Sequence, residues 1–268
     1  TVAEHSDAVI LCLGLDETLE GEEQDEGNNY GSGDKQDLNL PEVQIRLLDT
    51  ILQVNKPVIL CLMAGSSIDL SHAEKGCAAI LQLWYPGAGG GRAAADILFG
   101  KASPSGKLPV TFYRSADSLP DFTDYSMKGR TYRYYKEEPL YPFGYGLTYG
   151  DVFCSGARFL AEPEAGSDVQ VMLEATNSGE TDTADVIQAY IRVHDSEYAV
   201  PNVSLCGFSR VYLKAGETKE IEMTISRNAF TVINDGGERI SGGHNFTLYF
   251  GTSQPDDRSV LLTGKTPF

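Results

Sequence analysis

The sequence is poor in the residues that mark most metal and nucleophilic chemistries. Its four histidines, His5, His72, His194 and His244, are dispersed along 268 residues, so neither a zinc site nor a Ser-His-Asp triad has visible partners. The five cysteines, Cys12, Cys61, Cys77, Cys154 and Cys206, form no CxxC pair and show no metal-ligand spacing. An odd count without a framework argues against a disulfide scaffold and for a reducing compartment. A cytoplasmic location is therefore expected, with secretion or the periplasm as the alternative. Cys12 in VILCLG and Cys61 in VILCLM sit in apolar runs, where a thiol acts as a small hydrophobe, and inert, buried thiols are expected. No apolar run approaches the ~20 residues needed to span a bilayer. The opening TVAEHSDA has neither the basic start nor the apolar block of a leader. Basic residues are scarce too. With 21 Lys and Arg against 38 Asp and Glu, the net charge of -17 repels phosphate backbones and anionic lipid. Neither nucleic acid nor a membrane is an expected partner.

What is present reads as two globular domains. Hydrophobic content of 41% with 22% charged residues suits packed cores, and the length accommodates two of them. DAVILCLG (7–14), KPVILCLMAG (56–65) and CAAILQLWYPG (77–87) are apolar runs of the kind that form strands buried on both faces. GKLPVTFY (106–113) is a fourth extended segment. Between them, LPEVQIRLLDTILQVN places Val43, Leu47, Ile51 and Leu52 at helical spacing behind Pro41, and GRAAADILFG (91–100) is a short Ala-rich helix. This order predicts an α/β domain over 1–113, a mainly parallel sheet sandwiched by helices. Four strands make a thin sheet, so its opening part is expected elsewhere. Residues 114–150 are rich in Tyr, Phe, Pro and Gly, a connecting segment that should pack against a folded body. From 151 to 268 alternating runs recur between turn sequences such as NSGE and KAGE. Some seven strands there predict an all-β sandwich of immunoglobulin or fibronectin type III kind.

The densest chemistry lies in LDETLEGEEQDEG, which follows the first strand with seven carboxylates between Asp16 and Glu26 and no Lys or Arg. In open α/β sheets ligands bind beyond the carboxyl ends of the strands, where this run falls. Three readings stay open: a solvated acidic loop, a calcium site, or a general acid whose pKa is raised by crowded carboxylates. The run lacks the D-x-[DN]-x-[DN]-G spacing of an EF-hand loop. GAGGGRAAAD (87–96) lacks the GK[ST] ending of a phosphate loop and is read as close packing at a helix start. Trp84 and Tyr85 are read as core ahead of a sugar-stacking platform, and Ser66 and Ser67 as helix caps. NVS (202–204) and NFT (245–247) fit the glycosylation sequon, which matters only in a secreted protein.

The segments AAILQLWYPGAGGGRAAADILFGKASPSGKLPVTFY, GRTYRYY and LYPFGYGLTYGDVF, in that order, resemble glycoside hydrolase family 3. ATNSGETDTADVIQAYI, VPNVSLCGFSRVYLKAGETKEIEMTI and FTLYFGTS resemble the family's fibronectin type III-like domain, so the resemblance covers almost the whole chain. It implies retaining, exo-acting hydrolysis of β-glycosides, most directly β-glucosides, without a cofactor. It also implies a nucleophilic Asp on a TIM-barrel domain, and nothing in this chain resembles one. The acid/base Glu would come from a loop that in the family reads G-E-G, then G-D-R, then L-x-L-P. Here Gly21-Glu22, Gly33-Asp34-Lys35 and Leu38 to Pro41 match it, which makes Glu22 the acid/base candidate. Glu23 replaces the second Gly and Lys35 the Arg, and these departures keep Glu20 and Glu23 as alternates. The implied partners are a β-glucoside oligosaccharide or aryl glucoside and a barrel domain in the same protein or a second chain. A homo-oligomer is compatible with the sequence, as are a β-xylosidase of the same family and a non-catalytic carbohydrate-binding fragment.

Overall fold

The computed structural model describes residues 2–20, 35 and 37–268. They form two compact units, one from the described residues up to 101 together with 112–119, the other from residues 102–111 and 120–268.

The first unit is built on a parallel sheet in the order β1 (Val9–Gly14), β2 (Val58–Met63), β3 (Ala79–Gln82). Helix α1 (Glu42–Leu52) joins β1 to β2, α2 (Ser71–Gly76) joins β2 to β3, and α3 (Gly90–Leu98) follows β3. Val58, Leu60, Cys61 and Leu62 of β2 are buried, as the double-sided apolar run predicts. β1 departs from that expectation, with Ile10 49% exposed and Cys12 exposed. Among the described residues it is an edge strand with β2 as its one sheet neighbour, and these side chains stand on an open face. Cys12 is thus not a buried thiol. Burial pushes the thiols of Cys61 and Cys77 up, and those of Cys154 and Cys206 up to about 12, which disfavours their thiolate forms.

Helix α1 forms where expected, but rotated in phase. Leu48 is its buried residue, while Val43 and Leu47 are exposed. A polar side chain sets this phase: Gln44 Nε2 donates to the Gly14 carbonyl at 2.8 Å, and the Gly14 N–H donates to Gln44 Oε1 at 3.0 Å. Ser66 and Ser67 do not cap α2, which begins at Ser71, whose N–H is taken by the Asp69 carboxylate at 2.8 Å. The segment 106–113 adds no fourth strand to the parallel ladder among the described residues. Pro109 has no N–H to give a ladder, and Leu108 instead exchanges backbone hydrogen bonds with Gly144 and Tyr145 in the second unit.

The second unit contains two three-stranded antiparallel sheets. The strands are β4 (Val152–Phe159), β5 (Val169–Asn177), β6 (Thr183–Val193), β7 (Ser204–Leu213), β8 (Thr218–Ile225), β9 (Thr231–Ile233), β10 (Arg239–Ser241) and β11 (Phe246–Gly251). Sheet orders are β4-β5-β8 and β11-β6-β7, with β9 and β10 a separate hairpin. Alternate residues Val171, Leu173 and Ala175 of β5 meet Ile187 and Ala189 of β6 and Ile221, Met223 and Ile225 of β8 in one core. The expected fibronectin type III-like sandwich is present.

Strand β6 is buried on its other face as well, and the aromatic segment covers it. Tyr132, in the one-turn helix α4 (Thr131–Tyr134), stacks on Phe143 at 4.1 Å, and both meet Tyr190 of β6 edge-on. Tyr190 Oη donates to Gln188 Oε1, while Gln188 Nε2 donates to the Gly144 and Thr252 carbonyls. Gly144 has a φ of 78°, and a Cβ there would lie 2.3 Å from Gln188 Oε1. The network therefore requires glycine at that position. Asn202, the Asn of one sequon, donates its amide to the Tyr132 and Tyr135 carbonyls at 2.9 and 2.7 Å and is committed to the fold. Helix α5 (Asp257–Thr263) is capped by Asp256, and its buried Arg258 donates to the Leu140 carbonyl.

A buried ion pair and a buried amide anchor this unit. Lys107 meets Asp185 of β6 at 2.8 Å with side-chain exposures of 10% and 2%, and also donates to the Gly146 carbonyl at 2.7 Å. Burial pushes the Lys107 ammonium down against the pull of Asp185. Asn177, fully buried, accepts from the N–H groups of Asp151 and Gly179 and donates to the Thr181 and Lys214 carbonyls.

Replacing one partner of the buried pair should cost far more than replacing both. Lys107→Met is expected to lower unfolding stability by about 3–5 kcal/mol, because it strands a buried carboxylate, and the double variant Lys107→Met/Asp185→Leu should recover most of that loss in urea titrations. Equal stability of the single and double variants would contradict the pairing. Asn177→Ala should cost at least about 2 kcal/mol, since it leaves several buried backbone groups without partners.

Candidate active site

Parallel register brings the ends of the strands level. Gly14 of β1 pairs with Met63 of β2, and Leu62 of β2 pairs with Gln82 of β3. The chain leaves β1 with one more bond along this edge, the Leu15 N–H donating to the Met63 carbonyl at 2.8 Å, and with the Leu15 side chain buried. The acidic run then begins as a tight turn. Asp16 Oδ1 accepts from the N–H and hydroxyl of Thr18 at 3.0 and 2.7 Å, and its carbonyl accepts from the N–H groups of Leu19 and Glu20. The Thr18 bonds hold the Asp16 carboxyl below its ordinary value.

This turn places Glu20 over the carboxyl ends of the neighbouring strands. Ser66, beyond β2, donates its hydroxyl to Glu20 Oε1, and Tyr85, beyond β3, donates its phenol to Glu20 Oε2. One carboxylate thus joins the carboxyl ends of all three strands. Partial burial pushes the Glu20 carboxyl up, but the bonds from Ser66 and Tyr85, one from the Gly65 backbone, and the charge of Lys35 outweigh it. The net shift is downward. Burial and the bond to Glu20 push the Tyr85 phenol up to about 12, so it keeps the proton it donates. Lys35 also donates to the Asn39 carbonyl. Its ammonium is pushed down by burial, against the pull of Asp37 and Glu20.

The backbone around the clamp is shaped for it. A Cβ on Gly65 would sit 2.6 Å from the Tyr85 ring and 3.4 Å from Glu20 Oε2, so only glycine leaves room for the phenol to cross. Trp84, immediately before, holds a left-handed φ of 55°, an uncommon conformation for a bulky residue. Its ring packs edge-on against Phe112 at 6.3 Å, which fits the core reading of Trp84. Tyr85 is not core: it is 55% exposed and bonded to Glu20.

Of the acid/base candidates, Glu20 is the one within the described residues, while Glu22 and Glu23 lie outside them. Sequence reasoning placed the acidic run at this edge but missed Ser66 and Tyr85 as partners of Glu20. Their signal was position, since both follow predicted strands at the carboxyl end. Among the described residues, no group of three or more His, Cys, Asp or Glu side chains is placed to hold a metal ion.

Comparison with known proteins agrees with this architecture. Residues 1–149 match the glycosyl hydrolase family 3 C-terminal domain, and residues 185–254 match the fibronectin type III-like domain. The chain is 39% identical over 259 residues to a xylan 1,4-β-xylosidase of Xylanibacter ruminicola, covering 95% of this chain and 30% of that protein. It is 31% identical over 263 residues to a periplasmic β-glucosidase of Salmonella typhimurium, covering 93% and 33%. It superposes on the crystal structure of a Bifidobacterium adolescentis β-glucosidase with a TM-score of 0.82 at 29% identity, over 95% of this chain and 38% of the other. The chain spans about a third of the length of the curated relatives it matches. With the family's C-terminal domain matched over residues 1–149 of 268, on a parallel sheet whose acidic loop leaves from the carboxyl edge, the chain belongs to glycosyl hydrolase family 3.

Proposed function

We propose that this chain supplies the general acid/base of a retaining, exo-acting β-glycosidase, and that the nucleophilic Asp stands on a TIM-barrel domain outside it. The observation that carries the reading is the placement of Glu20. The acidic loop departs from the edge where open α/β sheets bind ligands, and the Glu20 carboxylate is held there by Ser66 and Tyr85.

Within the loop, the role falls to Glu22. A general acid must arrive protonated, whereas the donors around Glu20 favour its ionised form. Glu22 protonates the departing glycosidic oxygen while the barrel Asp attacks the anomeric carbon. As a carboxylate it then takes a proton from the water that releases the sugar. Retention requires the two carboxyl groups to stand ~5–5.5 Å apart across the scissile bond, so this chain alone contributes half of the catalytic pair and is expected to be inactive without the barrel. The seven carboxylates of the run disfavour anionic sugars, which makes a terminal, neutral β-D-glucosyl residue the proposed glycon. A β-D-xylosyl glycon is the second reading, favoured by the higher identity to the Xylanibacter xylosidase than to the Salmonella β-glucosidase. The ratio of kcat/KM on aryl β-glucoside and aryl β-xyloside decides between them.

In the protein joined to its barrel, Glu22→Ala should slow disaccharide hydrolysis by about 100-fold or more, and slow aryl glycosides with good leaving groups much less. Added azide should restore turnover and yield a glycosyl azide. Parent-like activity of Glu22→Ala on disaccharides would remove Glu22 from the mechanism.

A further inference from the structure

Glu20 is more elaborately held than a surface carboxylate needs to be. Donors from beyond two different strands converge on its two oxygens, Ser66 on one and Tyr85 on the other. Gly65 leaves the space that the Tyr85 ring occupies, and strained Trp84 precedes that ring. Tyr85 remains 55% exposed, so apolar burial does not account for its position. Among the described residues, the other charged groups acting on this cluster are Asp16, in the turn that carries Glu20, and Lys35 with its neighbour Asp37.

We propose that Glu20, clamped by Ser66 and Tyr85, is a positioning residue that anchors the acid/base loop at the carboxyl edge of the sheet. The proposal rests on the reading that the acid/base is the loop residue Glu22. Glu22 follows Glu20 by two residues, a Cα separation of at most about 7 Å, so the two carboxyl groups belong to one short stretch of the chain. A fixed negative charge at Glu20 therefore opposes ionisation of a carboxyl group at Glu22 and helps it retain its proton until the glycosidic oxygen takes it. The clamp also fixes where the loop begins. A misplacement of about 1 Å in a catalytic group costs on the order of 100-fold in rate.

The test uses the protein joined to its barrel, with Tyr85→Phe, Ser66→Ala, Gly65→Ala and Glu20→Gln compared by kcat, KM and pH profile. Tyr85→Phe and Ser66→Ala each remove one donor without changing the shape of the side chain, and unfolding midpoints identify any variant that fails to fold. We expect kcat to fall by about 10-fold to 100-fold in both, with KM little changed. Gly65→Ala, which pushes the ring aside without removing a donor, should act in the same direction. Glu20→Gln keeps the shape but removes the charge, so the alkaline limb of its kcat/KM profile should move down by about half a pH unit or more. Azide should rescue none of the four.

A parent-like kcat in Tyr85→Phe and Ser66→Ala, or an unmoved alkaline limb in Glu20→Gln, would overturn the clamp while leaving the Glu22 reading intact. Azide rescue of Glu20→Gln with none of Glu22→Ala would make Glu20 the acid/base itself and overturn both assignments. Rescue of neither would place the acid/base outside this pair.

Discussion

The level pairing of three parallel strands is the constraint on which the chemistry of this chain depends. Because Gly14 is opposite Met63 and Leu62 opposite Gln82, the connections leaving β1, β2 and β3 emerge side by side. A one-residue slip would turn every side chain of β1 to the opposite face and break the reciprocal amide pairing of Gln44 with Gly14. That pairing in turn sets which face of α1 meets the sheet. The Ser66–Glu20–Tyr85 arrangement is thus a product of sheet register, assembled from three separate stretches of sequence that share an edge.

The second unit depends on polar groups buried where apolar ones would be expected. Its sandwich core is aliphatic, but β6 also buries Asp185, on the face of Ile187 and Ala189, and Gln188 and Tyr190, on the opposite face. Each has a partner supplied by the Gly- and Tyr-rich segments: Lys107 for Asp185, the Gly144 carbonyl for Gln188, and the stacked Tyr132 and Phe143 rings for Tyr190. Buried polar groups that are fully paired specify one arrangement of the chain against the strand, whereas an apolar face would accept several.

Elements with strong periodicity were legible in the sequence. The three apolar runs became β1 to β3, and the alternating segments after Asp151 became the sandwich strands. What failed to show were features set by a single polar contact. The phase of α1 goes with the Gln44 contact, which a hydrophobic count ignores, and Val43 and Leu47 of the apolar spacing are exposed. The extended segment around Lys107 reads as a strand by composition, yet a missing N–H at Pro109 and the pull of Asp185 take it elsewhere. At the candidate site, the carboxylate run and its placement beyond β1 were visible. Ser66 and Tyr85 were not, because their relation to Glu20 spans 46 and 65 residues and arises only through the sheet. The match to a known family located the loop by motif; periodicity alone left it among three readings.

The path of the chain between the two units bears on how such proteins can be recombined. It crosses from one unit to the other after residue 101, returns after residue 111 and crosses again after residue 119. A module cut at the first sandwich strand would therefore lack Lys107, the partner of a carboxylate buried in its second sheet. Exchange of the fibronectin-like part between enzymes of this family should succeed when the graft carries the stretch from residue 102 onward, with the short return loop travelling inside it. The unit of inheritance is longer than the unit of secondary structure.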